Sequence, residues 1–114
     1  FTGVCQSQVC TINDQQQALT SANCVVLGIS VDAPFSNNAF RDANGIDYPL
    51  LSDVHRDVIE SYGVTFENFV IDGYTVAQRS VFVVEADGTI GYAWYAENPG
   101  VEPDYEALFA HVGA

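Results

Sequence analysis

The chain has 114 residues, 48% hydrophobic and 12% aromatic, which is enough for one domain with an apolar core. Fifteen acidic residues stand against three arginines and no lysine, so the formal net charge at pH 7 is −12. This balance excludes nucleic-acid binding by phosphate neutralisation, and no apolar run approaches the roughly 20 residues of a membrane span.

Charge and cysteine content also indicate a cellular setting. Three cysteines, an odd number without Cys-x-x-Cys spacing, argue against a secreted disulfide scaffold, so we expect a cytoplasmic protein. An acidic chain repels itself in dilute buffer, whereas at about 1 M salt the screening length falls to roughly 3 Å. We therefore interpret the composition as that of a protein from a salt-rich, halophile-like cytoplasm, the alternative being an ordinary acidic surface.

The first half of the chain alternates helices with short strands. Residues 6–19 predict a helix that is Gln-rich on its outer face. The apolar run 24–31 predicts a strand buried on both faces of a parallel sheet. A helix from Phe35 to Asn44, ended by Gly45, and a short strand over 48–52 follow.

The second half begins with a capped helix and an irregular stretch. Asp53 can cap a helix that runs to Tyr62 and is terminated by Gly63. Residues 64–77 predict a loop with a little strand structure.

A hairpin and a last helix complete the order. Residues 79–85 and 89–96 predict two strands joined by the turn Ala86-Asp87-Gly88, and a final helix covers about 103–112. This alternation predicts an α/β sandwich in a single domain, 1–114. Because only Phe1 precedes the first loop, we expect an N-terminal strand to be missing from this sequence; the alternative is a complete four-strand domain.

Cys5 is the strongest candidate for chemistry. It falls in the first turn of the first predicted helix, where backbone N–H groups and the helix dipole favour an anion and therefore the nucleophilic thiolate. Thr2, three residues earlier, adds a hydroxyl that could orient an incoming oxygen.

Thr2 and Cys5 resemble the active-site loop of the peroxiredoxins (AhpC/TSA superfamily), whose motif is Pro-x-x-x-Thr-x-x-Cys; the proline would lie before residue 1. Other segments resemble this family in the same order: Val26–Asp32, Tyr48–Asp53, Arg79–Val84 with Asp87-Gly88, and Gly100–Tyr105. The last phrase and residues 1–5 are most similar to the AhpE-type branch.

The resemblance implies a thioredoxin-like three-layer sandwich with a central mixed sheet. It also implies an antioxidant, thiol-dependent peroxidase that reduces hydrogen peroxide and organic hydroperoxides. Cys5 would attack the peroxide and become a sulfenic acid, and Thr2 would hold the peroxide. Arg79 and the backbone N–H groups of Val4 and Cys5 would stabilise the developing charge. The family further implies a homodimer, a thioredoxin- or glutaredoxin-like thiol donor, and no cofactor or metal.

Cys10 is the candidate that would resolve the sulfenic acid. Five helical steps separate it from Cys5, which places the Cα atoms about 8.7 Å apart. A disulfide tolerates about 7 Å, so this bond demands unwinding of the helix. The spacing resembles the PrxQ-type peroxiredoxins; the alternatives are an external thiol and a merely buried Cys10. We expect Cys24 to be inert.

Two other functions are compatible with the sequence. A thioredoxin-type thiol–disulfide oxidoreductase is weakened because Cys5 lacks a partner at Cys-x-x-Cys distance. A non-catalytic interaction or holdase domain would keep the fold without the activity, and peroxide turnover that depends on Cys5 would discriminate against it.

Overall fold

The computed structural model describes residues 3–114, except the side chain of Val4. The chain divides into two units: one comprises the residues up to Val26 together with Arg79–Ala114, and the other comprises Leu27–Gln78. Over the described residues the elements in chain order are α1 (Gly3–Asp14), α2 (Gln16–Ser21), β1 (Gly28–Ser30), α3 (Pro34–Asn44), β2 (Leu50–Ser52), α4 (Asp57–Ser61), β3 (Thr65–Phe66), β4 (Val76–Ala77), β5 (Ser80–Val84), β6 (Ile90–Tyr95) and α5 (Tyr105–Val112).

The predicted first helix is two helices. α1 begins at Gly3, three residues earlier than predicted, and α2 follows after a break at Gln15, whose φ of −98° and ψ of 10° leave the helical region. The backbone N–H of Gln15 donates to Ile12 at 3.1 Å, which tightens the end of α1. Since α1 starts at Gly3, Cys5 is its third residue and lies in the first turn, as predicted.

The first unit contains the predicted hairpin. β5 and β6 pair antiparallel from Ser80 opposite Tyr95, with a register shift between Val83 and Val84. The carboxylate of Asp87 accepts hydrogen bonds from the hydroxyl and the backbone N–H of Thr89, at 2.6 and 3.0 Å. These bonds hold the pKa of Asp87 below its usual value, the side-chain bond being the larger cause. The predicted turn is confirmed.

The second unit contains a parallel pair and a small antiparallel pair. β1 pairs with β2, Gly28 lying opposite Leu50 and Ser30 opposite Ser52, and β3 pairs with β4 inside the predicted loop. The expectation that residues 24–31 are buried on both faces is wrong. Within this unit Leu27 and Ile29 are exposed, as is Leu51 opposite Ile29, and Val25 of the first unit is exposed as well.

The helix ends in the second unit follow the sequence. Gly45 ends α3 with a φ of +62°, and Gly63 follows α4 with a φ of +68°, a region where glycine carries no Cβ penalty. The buried carboxylate of Asp53 accepts from the backbone N–H groups of Val58 and Ile59, at 3.2 and 2.9 Å. Asp53 therefore caps α4 as predicted, although three residues separate it from the first helical position, Asp57.

Helices and strands alternate along the chain, and the α/β class is confirmed. Over the described residues the strands pair two by two, in one parallel and two antiparallel ladders. The buried apolar side chains of the first unit are Leu19, Ala96 and Leu108; those of the second are Val31, Ile46, Tyr48, Ile59 and Val64.

Candidate active site

Cys5 occupies the N-terminal turn of α1 and is partly buried. The first four N–H groups of an α-helix point out of its N-terminal end, where the dipole is positive. The backbone N–H groups of Val4 and Cys5, which were expected to stabilise the developing charge together with Arg79, belong to this turn. Thr2 lies outside the described residues. Cys5 therefore lies at the positive end of a helix, as the sequence predicted.

Arg79 is held beside the same helix. One guanidinium nitrogen, Nη1, donates to Oε1 of Gln8 at 2.9 Å, and Nη2 and Nε donate to the carbonyl of Pro99 at 3.1 and 3.4 Å. Gln8 comes three residues after Cys5, about 60° around the helix axis, so the two side chains share one side of α1. The structure thus brings Arg79 to the part of α1 that carries Cys5.

A second set of side chains, here named the α1 tether, joins α1 to Glu102, in the segment before α5, and to Tyr105, the first residue of α5. It consists of Ser7, Thr11, Glu102 and Tyr105. The carboxylate oxygen Oε1 of Glu102 accepts from the hydroxyl of Ser7 at 2.8 Å and from that of Tyr105 at 2.7 Å. The hydroxyls of Thr11 and Tyr105 also share a hydrogen bond. Ser7 and Thr11 are four residues apart, so both lie on one face of α1.

The α1 tether shifts two pKa values in opposite directions. The hydrogen bond from Tyr105, then that from Ser7, and last the charge of Arg79 hold the pKa of Glu102 below its ordinary value of 4.5. Burial first, and the hydrogen bond to Glu102 second, raise the pKa of Tyr105 well above 10. At neutral pH the tether therefore consists of a carboxylate that accepts from neutral hydroxyls.

The other two cysteines are partly buried thiols in different settings. Cys10 belongs to α1, and the helix is unbroken between it and Cys5. Cys24 lies between α2 and β1 rather than in the predicted strand, and its backbone N–H donates to Leu19. The unwinding that a Cys5–Cys10 disulfide demands is therefore unwinding of regular α-helix.

Gln8 and Glu102 were not predicted as site residues from the sequence. Gln8 was recognisable only from its i+3 spacing to Cys5, and Glu102 lies in the phrase Gly100–Tyr105, which carried the resemblance but received no role. Within residues 3–114 no group of three His, Cys, Asp or Glu side chains could hold a metal ion. No helix in the same range is long and apolar enough to cross a membrane.

Comparison with known proteins identifies the family. The model of the AhpC/TSA family matches residues 1–93, which include Cys5, Cys10 and Arg79. The chain belongs to the AhpC/TSA family. A thiol peroxidase of Oceanobacillus iheyensis is 39% identical over 97% of this chain and 65% of the relative. A putative peroxiredoxin of Mycobacterium tuberculosis is 42% identical over 80% of this chain and 59% of the relative.

The solved structures agree with this assignment. AhpC of Enterococcus faecalis superposes with a TM-score of 0.86 at 26% identity, covering 99% of this chain and 66% of that one. The thioredoxin-like fold expected from the sequence is confirmed, as is membership of the peroxiredoxin family; the AhpE-type branch stays a prediction. The chain spans a little under two thirds of the length of the curated relatives it matches.

Proposed function

We propose that this protein is a thiol-dependent peroxidase that reduces hydrogen peroxide and organic hydroperoxides. The observation that carries the proposal is the position of Cys5 in the first turn of α1. Arg79 donates a hydrogen bond to Gln8, which lies about one turn after Cys5 on the same helix. The relatives named thiol peroxidase and putative peroxiredoxin support the same chemistry.

The first step is nucleophilic attack by the Cys5 thiolate on the terminal peroxide oxygen. A sulfur–oxygen bond forms while the oxygen–oxygen bond breaks, so Cys5 is oxidised to a sulfenic acid and the peroxide is reduced to an alcohol, or to water from hydrogen peroxide. The leaving oxygen takes up a proton. Thr2 is proposed to hold the peroxide before attack.

Arg79 is proposed to stabilise the charge that moves to the leaving oxygen. Preorganised donors act most strongly where charge develops in the transition state, and the N–H groups of Val4 and Cys5 are proposed to complete the same clamp. The hydrogen bonds to Gln8 and Pro99 use both arms of the guanidinium and restrict its rotation. In this proposal Gln8 positions Arg79 and does not itself react.

The second step returns Cys5 to the thiol. The sulfur of Cys10 attacks that of Cys5, a disulfide forms and water leaves; a thioredoxin- or glutaredoxin-like dithiol then reduces the disulfide. If Cys10 does not reach, an external thiol attacks the sulfenic acid directly. The proposed setting is a salt-rich, reducing cytoplasm, supported by the acidic charge and the three thiols. The homodimer is proposed from membership of the family alone.

The decisive experiment combines one equivalent of hydrogen peroxide, a sulfenic-acid trap and mass mapping of all three cysteines, in about 1 M salt to screen the acidic chain. We expect the adduct on Cys5, and we expect Cys5→Ser to lose peroxide consumption. Cys24→Ser is the matched control and should keep it.

The competing functions give different results. If Cys5→Ser consumes peroxide as fast as the parent protein, the peroxidase proposal is wrong. Rapid reduction of an unrelated protein disulfide combined with slow peroxide reaction would instead indicate a thiol–disulfide oxidoreductase. Suppression of another protein's aggregation, with no reaction at Cys5, would indicate a holdase.

A further inference from the structure

We infer that the α1 tether controls how fast the sulfenic acid of Cys5 is resolved by Cys10, with Glu102 and Tyr105 as positioning residues. The inference rests on the proposed peroxidase function and adds a control over its second step. The tether contains no reacting atom, and its effect is on the helix between the two sulfurs.

The first argument is geometric. Cys5 and Cys10 lie on one unbroken α-helix, about 140° apart around its axis and about 7.5 Å apart along it. A disulfide needs Cα atoms within about 7 Å, so the turn between them must unwind before sulfur can meet sulfur. The rate of disulfide formation therefore depends on how readily this turn opens.

The second argument is the location of the tether. Ser7 lies between the two cysteines, and Thr11 follows Cys10 directly. Both are hydrogen-bonded to side chains that stand outside α1, at Glu102 and Tyr105. Unwinding the turn moves Ser7 and Thr11 away from these partners, so the tether must break first.

The third argument concerns the intrinsic helix propensity of α1 at these positions. Ser7 and Thr11 are poorer helix formers than alanine or leucine, and the N-terminal turn carries no acidic residue to complement the dipole. Tyr105 is anchored independently of α1, because its ring stacks on that of Phe109 within α5, with centroids 6.3 Å apart. The anchor therefore stays in place when α1 opens.

The tether does not change which bonds form and break when Cys10 resolves the sulfenic acid. Attack by the Cys10 thiol forms the sulfur–sulfur bond and breaks the sulfur–oxygen bond of Cys5; water leaves with the thiol proton. The oxidising equivalent comes from the peroxide already consumed. A slower resolution leaves the sulfenic acid exposed to a second peroxide, which converts it to sulfinic acid.

Two variants test the inference without changing any charge. Tyr105→Phe removes the hydroxyl that bonds Glu102 and Thr11 but keeps the stacked ring. Ser7→Ala removes the other bond to Glu102. Alanine is the better helix former, so intrinsic propensity alone predicts slower unwinding in this variant, whereas loss of the tether predicts faster unwinding. Tyr95→Phe on β6, which also loses one hydroxyl, is the control.

The experiment is a single turnover: reduced protein, one equivalent of hydrogen peroxide, rapid acid quench, thiol alkylation and mass analysis. Sulfenic acid at Cys5 and the Cys5–Cys10 disulfide are followed separately. We expect the sulfenic acid to form at the parent rate in all variants. We expect the disulfide to form about fivefold faster in Tyr105→Phe and in Ser7→Ala, since each variant loses one hydrogen bond to α1, and at the parent rate in Tyr95→Phe. Under excess peroxide the two tether variants should accumulate less sulfinic acid.

Three results would overturn the inference. An unchanged or slower disulfide rate in both tether variants would show that the tether does not limit unwinding. If sulfenic acid forms at Cys5 but no Cys5–Cys10 disulfide appears in any variant, the inference fails while the peroxidase function stands. Failure of Cys5 to form sulfenic acid would remove both proposals together.

Discussion

Helices α1 and α4 are both fixed by side-chain hydrogen bonds, but in contrasting surroundings. α4 is capped by Asp53, which is 6% exposed and accepts from two backbone N–H groups, one of them that of the buried Ile59. α1 is held by the hydrogen bond from Ser7 to Glu102, both exposed, and by that from Arg79 to Gln8. Tyr105 in turn donates to Glu102.

The difference lies in what replaces each contact when it breaks. A buried N–H without an acceptor costs about 1–3 kcal/mol, because water cannot reach it. An exposed hydroxyl or carboxylate takes water in place of its protein partner, so losing that hydrogen bond costs about 1 kcal/mol rather than the full desolvation penalty. The helix that carries Cys5 is thus held by contacts that water can partly replace, whereas α4 is held by a contact that water cannot replace.

The largest effect is expected at Arg79. Arg79→Ala removes a preorganised donor from the proposed clamp and should lower the rate of peroxide attack about a hundredfold, with much less effect on folding. Stopped-flow measurement of peroxide consumption at neutral pH tests this. Arg41→Ala is the matched control, because it removes the same charge and a hydrogen bond to a backbone carbonyl, that of Tyr48. An unchanged rate in Arg79→Ala would refute the role of Arg79.

Asp53→Ala tests the other side of the comparison. It leaves the N–H groups of Val58 and Ile59 without their acceptor and should lower the free energy of unfolding by about 2 kcal/mol, with the peroxide rate of the folded protein unchanged. Denaturant unfolding provides the measurement. Asp53→Asn, which keeps one acceptor oxygen, should lose less than Asp53→Ala; equal losses would contradict the capping role.

Salt should change the stability of the whole chain. A net charge of −12 destabilises the folded chain through self-repulsion, so the melting temperature should fall by about 5 °C between 1 M salt and dilute buffer, a change of about 1 kcal/mol. A melting temperature indifferent to salt would remove the interpretation of the charge as an adaptation to a salt-rich cytoplasm.

The smallest effect is expected from acid at the α1 tether. Hydrogen bonds from Tyr105 and Ser7 depress the pKa of Glu102, so its contribution to stability is complete above its ordinary value of 4.5 and is lost as pH falls through the lower, folded value. The melting temperatures of the parent and of Glu102→Gln should therefore converge as pH is lowered from 6 towards 3. A constant difference would show that the carboxylate charge does not matter there.

Features decided by neighbouring residues were predictable from the sequence. Gly45 and Gly63 end helices, Asp53 caps α4, and Asp87-Gly88 makes the hairpin turn, since each depends on backbone preferences within a few positions. The first-turn position of Cys5 was predictable for the same reason. The break at Gln15 was missed, because no glycine or proline marks it.

By itself the sequence determined the family and the α/β class, because ordered motifs and local spacing carry that information. The reactive role of Cys5 stays a prediction. Only the tertiary structure decided what surrounds this cysteine. Gln8 and Arg79 are 71 positions apart, and Ser7 and Glu102 are 95 apart. Such pairs meet only after the chain has folded, since no local preference specifies which distant polar group will face a given helix turn. The same holds for the exposed face of Leu27 and Ile29, because an apolar run records hydrophobicity but not what packs against it.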